Sequence, residues 1–198
     1  MSINPAVLAF TGPVTSVNRF TPDEFEAFAL ANTELLMEQE TDGKVRIMSP
    51  VGGSSGNREN QINADLTMYE RSHPGESFSA STGFRLPDGS TKSPDAAYVS
   101  QQQMTKLTKE ERAKFLRVVP EFIVEVRSPS DSLVELEAKM RDTWIANGVR
   151  LAWLVDVDED KLWIYRADHS VELVTPLDRV VTGEDVLPGF TFDLKLLA

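Results

Sequence analysis

Residues 121–156 read EFIVEVRSPSD (121–131), SLVELEAKMRDTWIANGV (132–149) and RLAWLVD (150–156), which predicts a strand, a helix and a second strand. The run Phe122–Val126 is β-branched and aromatic, typical of a strand that is buried on both faces. Glu125 interrupts this run. Because a buried carboxylate is costly unless a partner charge, hydrogen bonds or a metal ion compensates it, Glu125 is the first candidate functional residue.

Other segments carry local signals for helices and hairpins. Thr21, Pro22 and Glu24 predict a helix start, with Thr21 as the N-cap and Glu24 completing a capping box. Asp42-Gly43 predicts a β-hairpin between strand-like runs. The further expected elements are the hairpin strands 33–39 and 44–48, a helix over 57–72, strands 78–85 and 93–99 around a turn at 87–89, one or two short helices within 101–117, and strands 161–166 and 171–175.

The domain organisation is simple. Residues 1–17 show no periodicity and hold Pro5, Gly12 and Pro13, so we expect a loosely held arm there. Residues 18–198 contain no repeat, low-complexity tract or linker. A chain of 198 residues can bury a sizeable core, which indicates a single domain over 18–198.

Composition excludes several classes of function. The absence of cysteine excludes disulfides, thiolate zinc sites and cysteine nucleophiles. No apolar run approaches the about 20 residues that span a bilayer, and the start has no basic n-region, so we expect no membrane segment or signal peptide and a cytoplasmic location. The formal net charge of −11 opposes general attraction to polyanions, so nucleic-acid binding would need a local basic strip or metal ions.

Two carboxylates form a candidate metal site. Asp95 follows Pro94 at the start of an expected strand, and Glu125 lies within another, so adjacent strands would let their side chains converge. Converging carboxylates share a proton or bind a divalent cation, and oxygen ligands suit Mg²⁺ or Mn²⁺. The Val126 carbonyl is a candidate third ligand. The alternative is that each acid is hydrogen-bonded to backbone at a loop or sheet edge.

Phosphoryl chemistry also needs a cation to stabilise developing negative charge. Arg127 lies two residues after Glu125 and therefore projects from the same face of the strand. Lys139 lies on the flank of the following helix, and its long side chain could reach back over the sheet. A surface pair between Glu135 and Lys139, four residues apart on the helix, is the structural alternative.

Several motifs together resemble one known family. They are Pro94-Asp95, Glu125-Val126-Arg127-Ser128, Lys139 and the segment from Gly148 to Asp156, with Phe20–Phe25, Met48-Ser49-Pro50 and Leu187–Phe190 extending the match over nearly the whole chain. In order and spacing these motifs resemble the Uma2 family, also called DUF820. This is a set of restriction-endonuclease-like proteins that is abundant in cyanobacteria.

The resemblance implies a PD-(D/E)xK nuclease: an α/β (α+β) fold with a mixed β-sheet flanked by helices, and Mg²⁺-dependent hydrolysis of phosphodiester bonds. On this basis Asp95 and Glu125 bind metal. The superfamily's lysine normally follows the second acid by two residues, where this chain has Arg127, which cannot act as a general base at neutral pH. Lys139 matches the position of its replacement on the next helix. An acid on an early helix would correspond to Glu59 or Gln61.

Three functional hypotheses follow. The first is a metal-dependent DNA endonuclease, expected to act as a homodimer because cutting both strands of a duplex needs two sites. The second is a catalytically weak or inactive binding or regulatory module with the nuclease fold, which the acidic composition and the missing lysine two residues after Glu125 favour. The third is a structural domain of an oligomer, with Trp144, Trp153 and Trp163 as core or interface residues.

Overall fold

The computed structural model describes residues 14–198, which form three β-sheets with helices packed against them. The helices are α1 (Pro22–Ala31), α2 (Gly53–Glu70), α3 (Gln101–Met104), α4 (Lys109–Arg112) and α5 (Leu133–Ala138), with a π-helical segment over Lys139–Ile145 and a 3₁₀ helix over Leu194–Leu197. The strands are β1 (Val14–Arg19), β2 (Leu36–Gln39), β3 (Lys44–Met48), β4 (Gly75–Ser79), β5 (Phe84–Arg85), β6 (Thr91–Lys92), β7 (Ala96–Ser100), β8 (Phe122–Val126), β9 (Leu151–Asp156), β10 (Lys161–Arg166), β11 (Val171–Val174), β12 (Val180–Gly183) and β13 (Leu187–Asp193). Within residues 14–198, no helix has the length and apolar character that crossing a membrane requires.

The central sheet has six strands in the order β11-β10-β9-β8-β7-β4. The pair β8 and β9 is parallel and is joined through α5, whereas the other neighbouring pairs are antiparallel. Helix α2 packs on one face through Ile62 and Leu66, and the π-helical segment packs on the other through Met140 and Trp144. Every residue of β8 and β9 is buried because both faces are covered. This mixed sheet with flanking helices confirms the α/β (α+β) fold.

A second, antiparallel sheet has the order β1-β3-β2-β6-β5. Phe25 of α1 packs on one face of it, against Met37 and Val45. Because side chains alternate along a strand, Glu38 of β2 projects from the opposite face. That face is turned towards the π-helical segment, since the Glu38 carboxylate contacts Lys139. A third sheet pairs β12 with β13.

Most of the local predictions are confirmed. Helix α1 has Thr21 as N-cap and both hydrogen bonds of the capping box with Glu24. Strands β2 and β3 form the hairpin around Gly43, whose φ of 83° suits a residue without a side chain. Strands β10 and β11 and the short helices α3 and α4 also fall in the expected segments. The helix expected over 57–72 begins earlier, at Gly53, and ends at Glu70.

One strand prediction and part of the arm prediction are wrong. The expected strand 78–85 is two strands in different sheets, since β4 pairs with β7 of the central sheet and β5 with β6 of the second sheet. The expected strand 93–99 corresponds to β7, which begins later, at Ala96, after Pro94, a residue without an amide hydrogen to donate to a partner strand. Residues 14–17 of the predicted arm belong to β1, which pairs with β3, and residues 1–13 lie outside the described residues.

Candidate active site

The register between β7 and β8 determines where the two candidate metal ligands lie. Ala96 pairs with Val124, so Asp95, one residue before β7, follows in register opposite Glu125. Residues opposite each other on antiparallel strands project from the same face, with Cβ atoms about 5 Å apart. The Val126 amide donates a hydrogen bond of 2.6 Å to Asp95 Oδ2 and fixes this carboxylate at the end of the strand pair. Asp95 and Glu125 therefore lie at the same end of the strand pair β7 and β8.

Glu125 is 5% exposed and is held by two donors. Its Oε1 lies 2.9 Å from Lys139 Nζ and accepts a hydrogen bond of 2.8 Å from Trp144 Nε1. Within residues 14–198, no hydrogen bond or ion pair engages Glu125 Oε2 or Asp95 Oδ1. One oxygen of each carboxylate is thus fixed by the protein, and the other remains available to a ligand.

The π-helical segment explains how Lys139 and Trp144 reach the same oxygen atom. Residues five apart lie on different faces of an α-helix with 3.6 residues per turn, but the i→i+5 pattern of a π-helix brings them nearly into line. Lys139 Nζ consequently lies 5.8 Å from the centroid of the Trp144 ring, which adds a cation–π attraction. The i→i+5 hydrogen bonds continue past the segment, with the Val149 amide donating to the Trp144 carbonyl.

Glu38 is a site residue that the sequence did not reveal. It is 3% exposed, and its Oε1 lies 3.2 Å from Lys139 Nζ and accepts a hydrogen bond of 3.0 Å from the Ser93 amide. Its Oε2 lies 3.3 Å from Lys92 Nζ, which also contacts Glu40 at 2.7 Å. Burial raises the pKa of Glu38, but Lys139, Lys92 and the Ser93 amide outweigh this effect and lower the pKa to about 2.

Helix α2 brings a further carboxylate close to the site. Asn63 donates hydrogen bonds of 2.9 Å to the backbone carbonyls of Glu59 and Asp95, which ties the helix to the end of β7. Burial and the nearby charge of Glu125 raise the pKa of Glu59. Of the two early-helix candidates, Glu59 therefore lies close enough to Glu125 for their charges to interact.

Nearby positive charges and hydrogen-bond donors compensate the negative charges of Asp95 and Glu125 only in part. Burial, together with Glu125 and Glu59, raises the pKa of Asp95 well above its usual value, against the hydrogen bond from Val126. Burial also raises the pKa of Glu125, and the attraction of Lys139 offsets this only in part. Conversely, Glu125 and Glu38 raise the pKa of Lys139 against its own burial, so the lysine is an ammonium ion. The pair therefore favours an additional positive charge, whether a proton or a metal ion.

Arg127 does not join this cluster. Its Nη1 pairs with Asp156 Oδ2 at 2.6 Å, and its Nε donates to the Asp131 carbonyl at 3.2 Å. Asp156 is 1% exposed, so the guanidinium compensates a buried charge at the end of β9. We therefore leave Arg127 out of the proposed catalytic set.

The donors fit a hydrated hard cation better than a closed protein cage. Among residues 14–198, no three His, Cys, Asp or Glu side chains are grouped closely enough to hold a metal ion by themselves. Mg²⁺ usually keeps several waters and takes only one or two carboxylates from the protein. The N–H and C=O groups of one strand residue point to the same side, so the Val126 carbonyl faces the Asp95 side, as its amide does.

The mixed sheet with its flanking helices is a restriction-endonuclease-like fold. A family model, Uma2, described as "Putative restriction endonuclease", matches residues 22–195. The chain belongs to the Uma2 family.

A similar fold occurs in a solved structure. It is a crystal structure of a protein from Anabaena variabilis ATCC 29413, described as a "putative nuclease belonging to DUF820". The two chains are 19% identical and superpose with a TM-score of 0.73, and the match covers 90% of this chain and 97% of the other. No curated protein matches the chain.

Proposed function

We propose that this protein is a metal-dependent endonuclease that hydrolyses phosphodiester bonds in DNA, with Mg²⁺ or Mn²⁺ as the cofactor. One observation carries the proposal. Asp95 and Glu125 lie opposite each other at the same end of the strand pair β7 and β8, both have raised pKa values, and Lys139 contacts Glu125. The family's description as a restriction endonuclease supports the same activity.

Each residue has a distinct role in this proposal. Asp95, Glu125 and the Val126 carbonyl would hold the ion, and Glu59 would add negative charge beside it. When bound, the ion activates a water molecule for attack and neutralises charge on the phosphate. Lys139 stabilises the negative charge that develops on the phosphate in the transition state, because its ammonium is held beside the carboxylates.

The metal ion also accounts for how an acidic protein would accept DNA. The chain carries a formal net charge of −11, which repels a polyanion over most of its surface. Neutralising the carboxylate pair with a divalent cation removes that repulsion where the phosphate must approach. We expect the active form to be a homodimer, because two sites are needed to cut both strands of a duplex.

A plasmid-cleavage assay tests this function. Supercoiled DNA is incubated with the wild type, Glu125→Ala and Lys139→Ala in Mg²⁺, Mn²⁺ or EDTA. We expect nicked and linear products for the wild type with metal, no products with EDTA or for Glu125→Ala, and only slow residual cleavage for Lys139→Ala. A matched control is Glu135→Gln, which removes a surface partner of Arg46 and should leave cleavage unchanged. Equal cleavage by Glu125→Ala and the wild type would contradict the proposal.

One observation favours the second hypothesis, a non-catalytic binding or regulatory module. The Lys139 ammonium is already engaged by two carboxylates, at 2.9 Å and 3.2 Å, which leaves it less positive charge to offer a phosphate. Such a module would retain DNA in a mobility-shift assay with Ca²⁺ or Mg²⁺ and yield no cleaved product. The same plasmid experiment therefore separates the two hypotheses.

A further inference from the structure

We propose that Glu38 is a positioning residue of the active site: it holds the Lys139 ammonium in place beside Glu125 from the neighbouring sheet. This inference rests on the proposed function for its consequence in cleavage. Its geometric basis stands on contacts between described residues. It extends the site beyond the central sheet to β2 of the second sheet.

The contacts of Lys139 show why a second carboxylate is needed. A lysine has a flexible four-carbon stem, and a single ion pair does not fix the position of its ammonium group. Lys139 Nζ lies between Glu125 Oε1 at 2.9 Å and Glu38 Oε1 at 3.2 Å, and these two contacts come from different sheets. The ammonium is therefore held from two directions.

Glu38 also connects the lysine to the segment that carries Asp95. The Glu38 Oε1 atom that contacts Lys139 accepts a hydrogen bond of 3.0 Å from the Ser93 amide. Ser93 precedes Asp95 by two residues, with Pro94 between them. A shift of Glu38 would consequently move the lysine relative to the metal-binding carboxylates.

The second oxygen of Glu38 provides a natural control. Lys92 Nζ lies 3.3 Å from Glu38 Oε2 and 2.7 Å from Glu40 Oε2, so both acids compensate the same buried lysine. Among residues 14–198, the ion pairs of Lys139 are with Glu38 and Glu125, and none is with Glu40. The variants Glu38→Gln and Glu40→Gln both weaken the Lys92 network, but only the first alters the surroundings of Lys139.

Single-turnover cleavage of plasmid DNA in saturating Mn²⁺ measures the catalytic consequence. Substituting a group that orients a metal-site residue typically costs about 10- to 100-fold, and we expect a loss in that range for Glu38→Gln. Glu40→Gln should stay within about twofold of the wild type. In a Lys139→Met background, Glu38→Gln should cause no additional loss, because its effect passes through the lysine. Cleavage by Glu38→Gln at the wild-type rate, or an equal loss in both backgrounds, would overturn the proposal.

An NMR experiment monitors the surroundings of the Lys139 ammonium group without depending on cleavage. In ¹⁵N-lysine-labelled full-length protein, the Lys139 ammonium signal is identified by its loss in Lys139→Met. The chemical shift of this signal should change in Glu38→Gln. It should also change in Glu38→Asp, because the shorter side chain keeps the negative charge but holds it farther from Lys139. It should be unchanged in Glu40→Gln. An unchanged signal in a folded Glu38 variant would refute the positioning role. The expected shifts in a protein that cleaves no DNA would leave that role intact and refute the proposed function instead.

Discussion

Glu38 and Asp95 flank the Lys139–Glu125 pair, and the protein treats these two carboxylates in opposite ways. Glu38 contacts two ammonium groups and one backbone amide, and its pKa falls to about 2 despite burial. Asp95 accepts one amide hydrogen bond, and burial together with the charge of Glu125 raises its pKa. The difference lies in the neighbours of each carboxylate.

This contrast separates a structural counter-charge from a binding group. A buried carboxylate with its charges balanced stays ionised and gains nothing from a further cation. One that faces other carboxylates gains from any positive charge that arrives. The Asp95 side of the site is therefore where we expect the metal ion, and the Glu38 side is where we expect the lysine to be held.

The largest expected effect is on the Asp95 side. Asp95→Asn should lower plasmid cleavage at least about 100-fold, because it removes one of the two proposed anionic ligands of the ion. The amide oxygen of asparagine can still accept the Val126 hydrogen bond, so the fold should survive. Circular dichroism checks the fold beside the cleavage assay, and a folded variant that cuts like the wild type would break the comparison.

Lys139→Met should have the next largest effect, this time on stability. It leaves Glu38 and Glu125 without their shared ammonium, and breaking a largely buried ion pair from one side costs about 3 kcal/mol. Urea unfolding without metal measures the free energy. Saturating Mn²⁺ should restore part of the loss, since the ion compensates Glu125. A metal-free variant as stable as the wild type would contradict the charge balance described above.

The raised pKa of Asp95 predicts a pH dependence of stability. Because the folded apoprotein holds this proton more tightly than the unfolded chain, the stabilisation is complete below the ordinary value of 3.8 and is lost as the pH rises through the raised pKa. Above pH 3.8, the thermal midpoint of the apoprotein should fall with rising pH more steeply for the wild type than for Asp95→Asn. Parallel curves for the two proteins would contradict the raised pKa.

Arg127→Lys should have the smallest effect on cleavage. The residue pairs with Asp156 away from the carboxylate pair, so we expect cleavage within about threefold of the wild type and a small loss of stability from the weaker pairing. Single-turnover rates and urea unfolding measure both. A loss of cleavage as large as that of Asp95→Asn would indicate that Arg127 takes part in catalysis.

The sequence contained enough to predict the central part of the fold. The apolar run around Glu125 indicated a strand buried on both faces, and β8 is such a strand. The motif order indicated the family, which the match over residues 22–195 confirms. Asp95 and Glu125 could be named because acids beside or within apolar strands are unusual.

The rest depended on contacts that are distant in the chain. The segment around Glu38 also contains Glu34 and Glu40, and nothing local distinguishes the acid that becomes buried between two sheets. The division of the strand expected over 78–85 follows from pairing with two different sheets. Helical periodicity placed Lys139 on a flank, because a π-helical turn leaves no signature in residue spacing. The alternation of side chains along a strand predicted the face from which Arg127 projects, but it could not predict the ion pair of Arg127 with Asp156, which is distant in the sequence.

Titration of the apoprotein with Mn²⁺ by calorimetry tests the central claim most directly. The wild type should bind the ion and release protons on binding, because burial raises the pKa values of Asp95 and Glu125 and a bound cation favours their charged forms. Asp95→Asn and Glu125→Gln should lose this binding, whereas Glu40→Gln should keep it. The claim is contradicted if the wild type binds no ion, or if both carboxylate variants bind it as tightly as the wild type.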